Sequence, residues 1–292
     1  MTRAEAGSPG GTAAYRASID AWHRDRIARL TSETGWLTVA GFFWLDPGEN
    51  PFGTAPDNAI VLPPGSAPAH AGSFRLETSE AGQTARVILE PGTAASLNGE
   101  PVTPRALVPD DPGPADKLTL GRLTLWVLVR NGALAVRLRD PEAALRRDFA
   151  GIESFDPDEA FRVRGRYVPF ARARDLGVPN RLGHTDTSRV YGTVAFTLAG
   201  HALSLVPLTD GAADSALFFV FADETTGRET YGGGRFLEAT LEADGSVQMD
   251  FNKAYNPPCA FNPWTTCPLP PEGNTLPVAV RAGEKTYAHP PE

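Results

Sequence analysis

Carboxylates, cations, tyrosines and glycines crowd into two short stretches of this sequence. DETTGRETYGGGR occupies residues 223–235 and DFNKAYNPPCAFNP residues 250–263. Asp250, Glu229 and Tyr255 are the candidate acid–base residues, because a positioned carboxylate or phenol can move a proton to or from a reacting group. Arg235 and Lys253 supply the opposite charge and can hold a substrate carboxylate or phosphate, the arginine with a two-pronged grip. Asn252, Asn256 and Tyr231 add hydrogen-bond donors beside them. A plainer reading exists for each. Residues 223–227 can be a surface turn, Arg235 with Glu229 or Lys253 with Asp250 can be internal ion pairs, and the tyrosines can be core residues with satisfied hydroxyls.

Two further chemistries deserve weighing on the same residues. Asp223, Glu224, Glu229 and Asp250 could hold magnesium or calcium through oxygen if the strands gather them at one end. Cys259 as a nucleophile needs a base and a lowered pKa, and no histidine stands near it in sequence. Cys259 and Cys267 are close enough for a disulfide, although a reducing cytosol favours free thiols. The five histidines, His23, His70, His184, His201 and His289, are scattered without metal-binding spacing. G-x-S-x-G, the phosphate-binding P-loop, H-E-x-x-H and C-x-x-C are all absent, and the glycines 232–234 lack the setting of a dinucleotide loop. They suit a strand bulge or a close backbone approach instead. No motif names a cofactor.

The elements that must position these residues are mostly strands. Tyr15, Ile19, Trp22, Ile27 and Leu30 recur near the helical period, predicting one amphipathic helix that stops near Gly35. The apolar segment 36–45 follows as a plug for the core. Prolines make 46–70 a loop with one short strand at 59–62. Strands are predicted at 74–77, 85–89, 117–120, 123–130 and 133–139, with Asn131-Gly132 as a type I′ hairpin turn. After a polar connection, a second set is predicted at 161–170, 189–198, 201–207, 216–222, 235–241 and 246–251. The proline-rich segment 255–277 is a lid or a strap.

The fold expected is therefore mainly β: an N-terminal helix, a small β-sandwich, and a C-terminal antiparallel β-sheet or barrel with a long proline-rich loop. In residues, 1–14 form a flexible start, 15–51 the helix and aromatic plug, 52–140 the sandwich and 141–160 a connection. Residues 161–287 form the C-terminal subdomain carrying the site.

The net charge of −8 opposes binding to phosphate backbones and anionic lipid, so the expected partner is a small molecule rather than nucleic acid or membrane. No secretory signal is visible at the start, and the apolar runs are too short to span a bilayer, which points to a cytoplasmic protein. Only three residues are lysines, Lys117, Lys253 and Lys285.

The two stretches above resemble a bacterial domain-of-unknown-function family, number 1684. So do GWLTVAG at 35–41, CPLPP at 267–271 and AGEK at 282–285. The resemblance runs from about Tyr15 to about Tyr287 and implies family membership without a named activity. From the residues themselves, the leading expectation is an enzyme acting on a small polar or anionic metabolite by acid–base catalysis. The alternatives are a non-catalytic binding barrel and a protein-interaction module using Trp36, Phe42, Phe43 and Trp44.

Overall fold

The computed structural model describes residues 12–80, 82–209, 211 and 214–288. Eleven residues of the expected flexible start, and His289, lie outside them. The chain forms two compact units, one of Thr31–Asp148 and one of Met1–Leu30 with Phe149–Glu292.

In the unit of residues 31–148, β1 (Val39–Trp44), β2 (Gly48–Gly53), β3 (Ile60–Val61), β4 (Gly72–Ser79) and β5 (Gly82–Leu89) come first. They are followed by β6 (Ser96–Leu97), β7 (Glu100–Pro101), β8 (Leu118–Leu120), β9 (Leu123–Arg130) and β10 (Ala133–Arg139). They build a six-stranded sheet, β1-β10-β9-β8-β6-β7, and a four-stranded sheet, β3-β2-β4-β5. Phe52, Phe74 and Leu76 of the smaller sheet and Leu125, Val136 and Leu138 of the larger share one core, the arrangement of a sandwich. Asn131 and Gly132 take φ of 51° and 74° between β9 and β10, the two positive angles a type I′ turn requires.

β2 corrects the expectation of a loop over 46–70. Pro51 lies inside this strand, and the pairing is carried by its neighbours: Ala71 N–H donates to Phe52 O and Leu62 N–H to Gly53 O, both at 2.8 Å. The aromatic segment is only partly a plug. Leu37 and Val39 are buried, whereas Trp36 and Trp44 remain 40% and 45% exposed.

The other unit contains the helix α1 (Ala13–Thr31) up to Leu30, with Tyr15, Ile19, Arg26 and Leu30 buried along one face. Its strands are β11 (Arg162–Pro179), β12 (Thr185–Leu198), β13 (His201–Leu205), β14 (Ala216–Phe221), β15 (Arg235–Thr240) and β16 (Ser246–Asp250). β13-β12-β11-β16 form a four-stranded antiparallel sheet, and β14 pairs with β15 as a hairpin. Phe219 and Phe221 of β14, Leu237 of β15 and Met249 of β16 meet Val194, Phe196 and Leu205 in the core of this unit. These open sheets are the antiparallel β architecture expected of the C-terminal half. β11 and β12 run well past the predicted 161–170 and 189–198, because their polar ends still pair from Arg174↔Val190 to Pro179↔Thr185. Among the described residues no helix is long and apolar enough to cross a membrane.

Candidate functional site

The strand period decides which way the charges of β15 point. Side chains alternate across a strand, so Arg235 shares a face with Leu237, and Phe236 shares the other with Glu238. Leu237 is wholly buried in the core, and Arg235 goes inward with it, 1% exposed. There its Nη2 donates to Asp223 Oδ2 and to Val280 O, each at 2.9 Å, and its Nη1 donates to Ala282 O. Asp223 also accepts from Thr225 N at 2.8 Å, from Thr225 Oγ1 at 2.6 Å and from Val280 N at 3.2 Å. Gly234 makes the entry to β15 possible. It has φ of 80°, and a Cβ there would come within 2.6 Å of Phe221 O and of Pro270 Cγ.

A second buried pair lies close by. Glu284, fully buried, accepts from Arg26 Nε at 3.2 Å and from Asn256 N at 2.7 Å, while Arg26 Nη2 donates to Asn256 O at 2.9 Å. Burial pushes the Glu284 carboxyl upward against the pull of Arg26, and burial pushes Arg235 downward against the pull of Asp223. Asn256 Nδ2 donates to Lys285 O at 2.7 Å.

Asp250 and Asn252 serve a third junction. Asp250 Oδ1 accepts from Tyr15 Oη at 2.8 Å and from Asn252 N at 3.2 Å, and Asn252 Nδ2 donates to Asp158 O at 2.8 Å. Burial, then the Asp250 carboxylate, raises the Tyr15 hydroxyl well above its ordinary value. Glu229 meets Arg281 at the surface, 2.9 Å from its Nη2. The predicted acid–base residues Asp250, Glu229 and Tyr255 thus have three different partners. Asp223, Glu229 and Asp250 are likewise not gathered: among the described residues no group of three or more His, Cys, Asp or Glu could hold a metal ion.

Tyr231 donates to Cys259 O at 3.2 Å. Cys259 and Cys267 are unbridged, and each thiol sulfur accepts the other's backbone N–H, at 3.1 and 3.2 Å. The hydrogen bond from the Cys267 thiol pulls Cys259 below the ordinary thiol range, and the same bond with burial holds Cys267 above it.

The other face of the β14–β15 hairpin opens to a cleft of about 660 Å³. Phe218 and Glu238, opposite each other in the ladder, line it with Trp22, Asp214, Ser188 and Lys253. Lys253 ends the single turn Phe251–Lys253 after β16 and has no ion pair or side-chain hydrogen bond among the described residues. Glu238 is exposed and accepts from Tyr255 Oη at 2.6 Å. Tyr255 is held by rings on two sides, Trp22 at 6.2 Å and Phe236 at 5.7 Å, with the Arg26 guanidinium 4.8 Å from its ring centre. Burial and the Glu238 carboxylate both raise its hydroxyl, so it stays protonated as a donor.

Of the sequence-predicted residues, the structure brings Lys253 to the lining of this cleft and Tyr255 into a hydrogen bond with Glu238, one of its lining residues. Glu238 and Trp22 join them without having been singled out as site residues. The signal for Glu238 was its parity on β15, opposite to that of Arg235. Trp22 carried no such signal, since in sequence it reads as one more apolar position of α1.

The fold and site define an antiparallel β protein with buried ion pairs behind one face of a hairpin and an open, mixed-charge cleft on the other. The chain belongs to the DUF1684 family of proteins of unknown function, whose model matches residues 147–285. It is also similar to an uncharacterized protein from gene locus rrnAC0354 of Haloarcula marismortui, known from a solution NMR structure. The identity is 37%, over 48% of this chain and 79% of that one, with a TM-score of 0.39. No curated protein matches the chain.

Proposed function

We propose that the unit of residues 149–292 with α1 binds a small anionic metabolite in the cleft beside β15 and acts on it by proton transfer. Lys253 carries this reading: a cation lining a cleft and lacking a partner among the described residues is a ready contact for a carboxylate or phosphate. Trp22 and Phe218 offer surface to the apolar part of the ligand. Glu238, oriented by the Tyr255 hydroxyl, is the proton acceptor, and the exposed position leaves its second oxygen accessible. Asp250 and Arg235 act in this account by holding the fold around the cleft.

The test is a panel of small carboxylic, amino and phosphorylated metabolites screened by thermal shift, with hits followed by calorimetry. A hit that binds the wild type should bind Lys253→Met at least tenfold more weakly. Glu238→Gln should retain binding and lose any conversion. Hits indifferent to both substitutions would place the ligand elsewhere. Binding without conversion by the wild type would make the protein a non-catalytic binder at the same cleft.

A further inference from the structure

The segment between Cys259 and Cys267 folds back on itself and brings its two ends together. Pro258–Ala260 is a single tight helical turn. Asn262 continues the reversal: its Oδ1 accepts from Trp264 N at 2.8 Å, and its carbonyl accepts from Thr265 Oγ1 at 3.0 Å. Both ends are then tied to loops between strands. Cys259 O accepts from Tyr231 Oη at 3.2 Å, in the connection from β14 to β15, and Cys267 O accepts from Arg181 N at 3.1 Å, in the turn between β11 and β12.

The result is two thiols that face each other. Each sulfur accepts the other's backbone N–H, and the Cys267 thiol donates to the Cys259 sulfur. Thr265 stands beside both, its carbonyl oxygen 3.6 Å from Cys259 Sγ and its Oγ1 3.8 Å from Cys267 Sγ. Val220, Phe236, Phe218 and Leu208 pack around the pair. These surroundings treat the two sulfurs differently. Cys259 is half-buried, and hydrogen bonding from Cys267, opposed by burial and helped by the exposed Arg181, brings its thiol down to about 6. Cys267 is 7% exposed, and the same bond with burial holds its thiol above the ordinary range. A reachable thiolate with a buried thiol against it is the arrangement in which one sulfur attacks an oxidant and the other resolves the product.

We propose that Cys259 and Cys267 form an oxidation site for hydrogen peroxide, closing reversibly from free thiols to a disulfide that locks the loop between them. The Cys259 thiolate attacks one peroxide oxygen and the O–O bond breaks. The departing hydroxide takes up the proton that Cys259 had released to solvent, and Cys259 is left as a sulfenic acid. The Cys267 sulfur then attacks the Cys259 sulfur: the S–S bond forms, the S–O bond breaks, and hydroxide leaves with the Cys267 proton as water. Two thiols and one peroxide become one disulfide and two waters. A small dithiol reverses the change by exchange and ends as its own disulfide. Neither cysteine is among the residues lining the cleft beside β15, so this chemistry is independent of what binds there.

The experiment is hydrogen peroxide treatment of the reduced full chain at neutral pH, followed by denaturation, iodoacetamide alkylation and mass spectrometry. Trypsin releases both cysteines on one peptide, residues 254–281, so a bond within the chain reads as that peptide two hydrogens lighter and unalkylated. The wild type should give this product, and dithiothreitol should return two alkylated cysteines. Its formation should be about tenfold or more faster in the folded chain than in urea, where the hydrogen bonds that favour the thiolate are gone. Cys259→Ser should leave Cys267 open to alkylation, whereas Cys267→Ser should accumulate a Cys259 sulfenic acid that dimedone traps. The proposal is overturned by cysteines that both remain alkylatable after peroxide, by a disulfide between chains, by Cys259 passing to the sulfinic acid with Cys267 still free, or by equal rates in the folded and unfolded chain. If a serine variant does not fold, the wild-type product and the comparison of rates decide alone.

Discussion

The two faces of the β14–β15 hairpin carry charge in opposite ways. On the inner face Asp223 and Arg235 are both almost fully buried, bond each other and are bonded by the backbone of Thr225, Val280 and Ala282 and the Thr225 hydroxyl. On the outer face Glu238 is exposed, and Lys253 lines the same cleft without a partner among the described residues. The inner charges are closed off from water, with only the buried Arg235 Nε lacking a partner among the described residues, whereas the outer ones are open to a ligand. Strand parity separates Arg235 from Glu238, since one residue along a strand reverses the direction of a side chain.

This contrast can be broken from the inside first. Arg235→Met strands Asp223 in the core, and the expected loss of stability in urea unfolding is about 3–5 kcal/mol, the largest effect of any substitution considered. Adding Asp223→Leu should recover part of it, because the stranded charge is then gone. If Arg235→Met unfolds at the same urea concentration as the wild type, the inner pair is not a fold-holding contact. Tyr15→Phe comes next. It removes a donor from Asp250 and an acceptor from Asn252 Nδ2, and should cost about 1–3 kcal/mol by the same measurement.

The acid limb of stability gives a third effect in the sandwich unit. Hydrogen bonding from Arg105 lowers Asp116 to about 2, below the ordinary carboxylate value of about 3.9. A folded-state pKa below the unfolded one means that the stabilisation is complete above about pH 4 and is lost as pH falls towards about 2. Asp116→Asn should therefore be less stable at neutral pH and show a flatter decline over that acid window. A decline identical to the wild type's would remove Asp116 from the account.

Smaller effects sharpen the contrast. Cys259, with its thiol lowered by Cys267, should still react with iodoacetamide at about pH 7, and Cys267→Ser should return that reactivity to the ordinary thiol range near about pH 8.5. A rate profile unmoved by Cys267→Ser would argue against the coupling. Smallest of all is Glu229→Gln. Its pair with Arg281 is as close as the inner one, at 2.9 Å, but exposed to water, so the unfolding midpoint should not move measurably.

Much of the fold was legible because it follows from alternation and turn chemistry. The strands around Asn131-Gly132 and those from residue 201 to residue 251 are found within one or two residues of their predicted ends. The exceptions have physical causes. β2 was hidden by Pro51, which does not break a strand when neighbouring residues carry the ladder. The far ends of β11 and β12 were hidden because both are polar and largely exposed, and Arg189 with Asp175, 2.8 Å apart across them, reads in sequence as ordinary loop charge.

The site was legible in a different measure. The stretches 223–235 and 250–263 do sit at the ends of β14, β15 and β16. Their charges, however, divide between inside and outside by parity, which a tally of residue types does not register. Trp22 reaches the cleft from a helix some two hundred residues earlier in the chain.

The most direct test of the division between the two faces is an amide NMR titration of the wild type with whichever metabolite gives the largest thermal shift that Lys253→Met abolishes. The account predicts resonance shifts centred on Trp22, Phe218, Glu238 and Lys253, with Asp223, Arg235 and Glu284 unmoved. Shifts centred on the buried pairs, with the cleft residues silent, would contradict it.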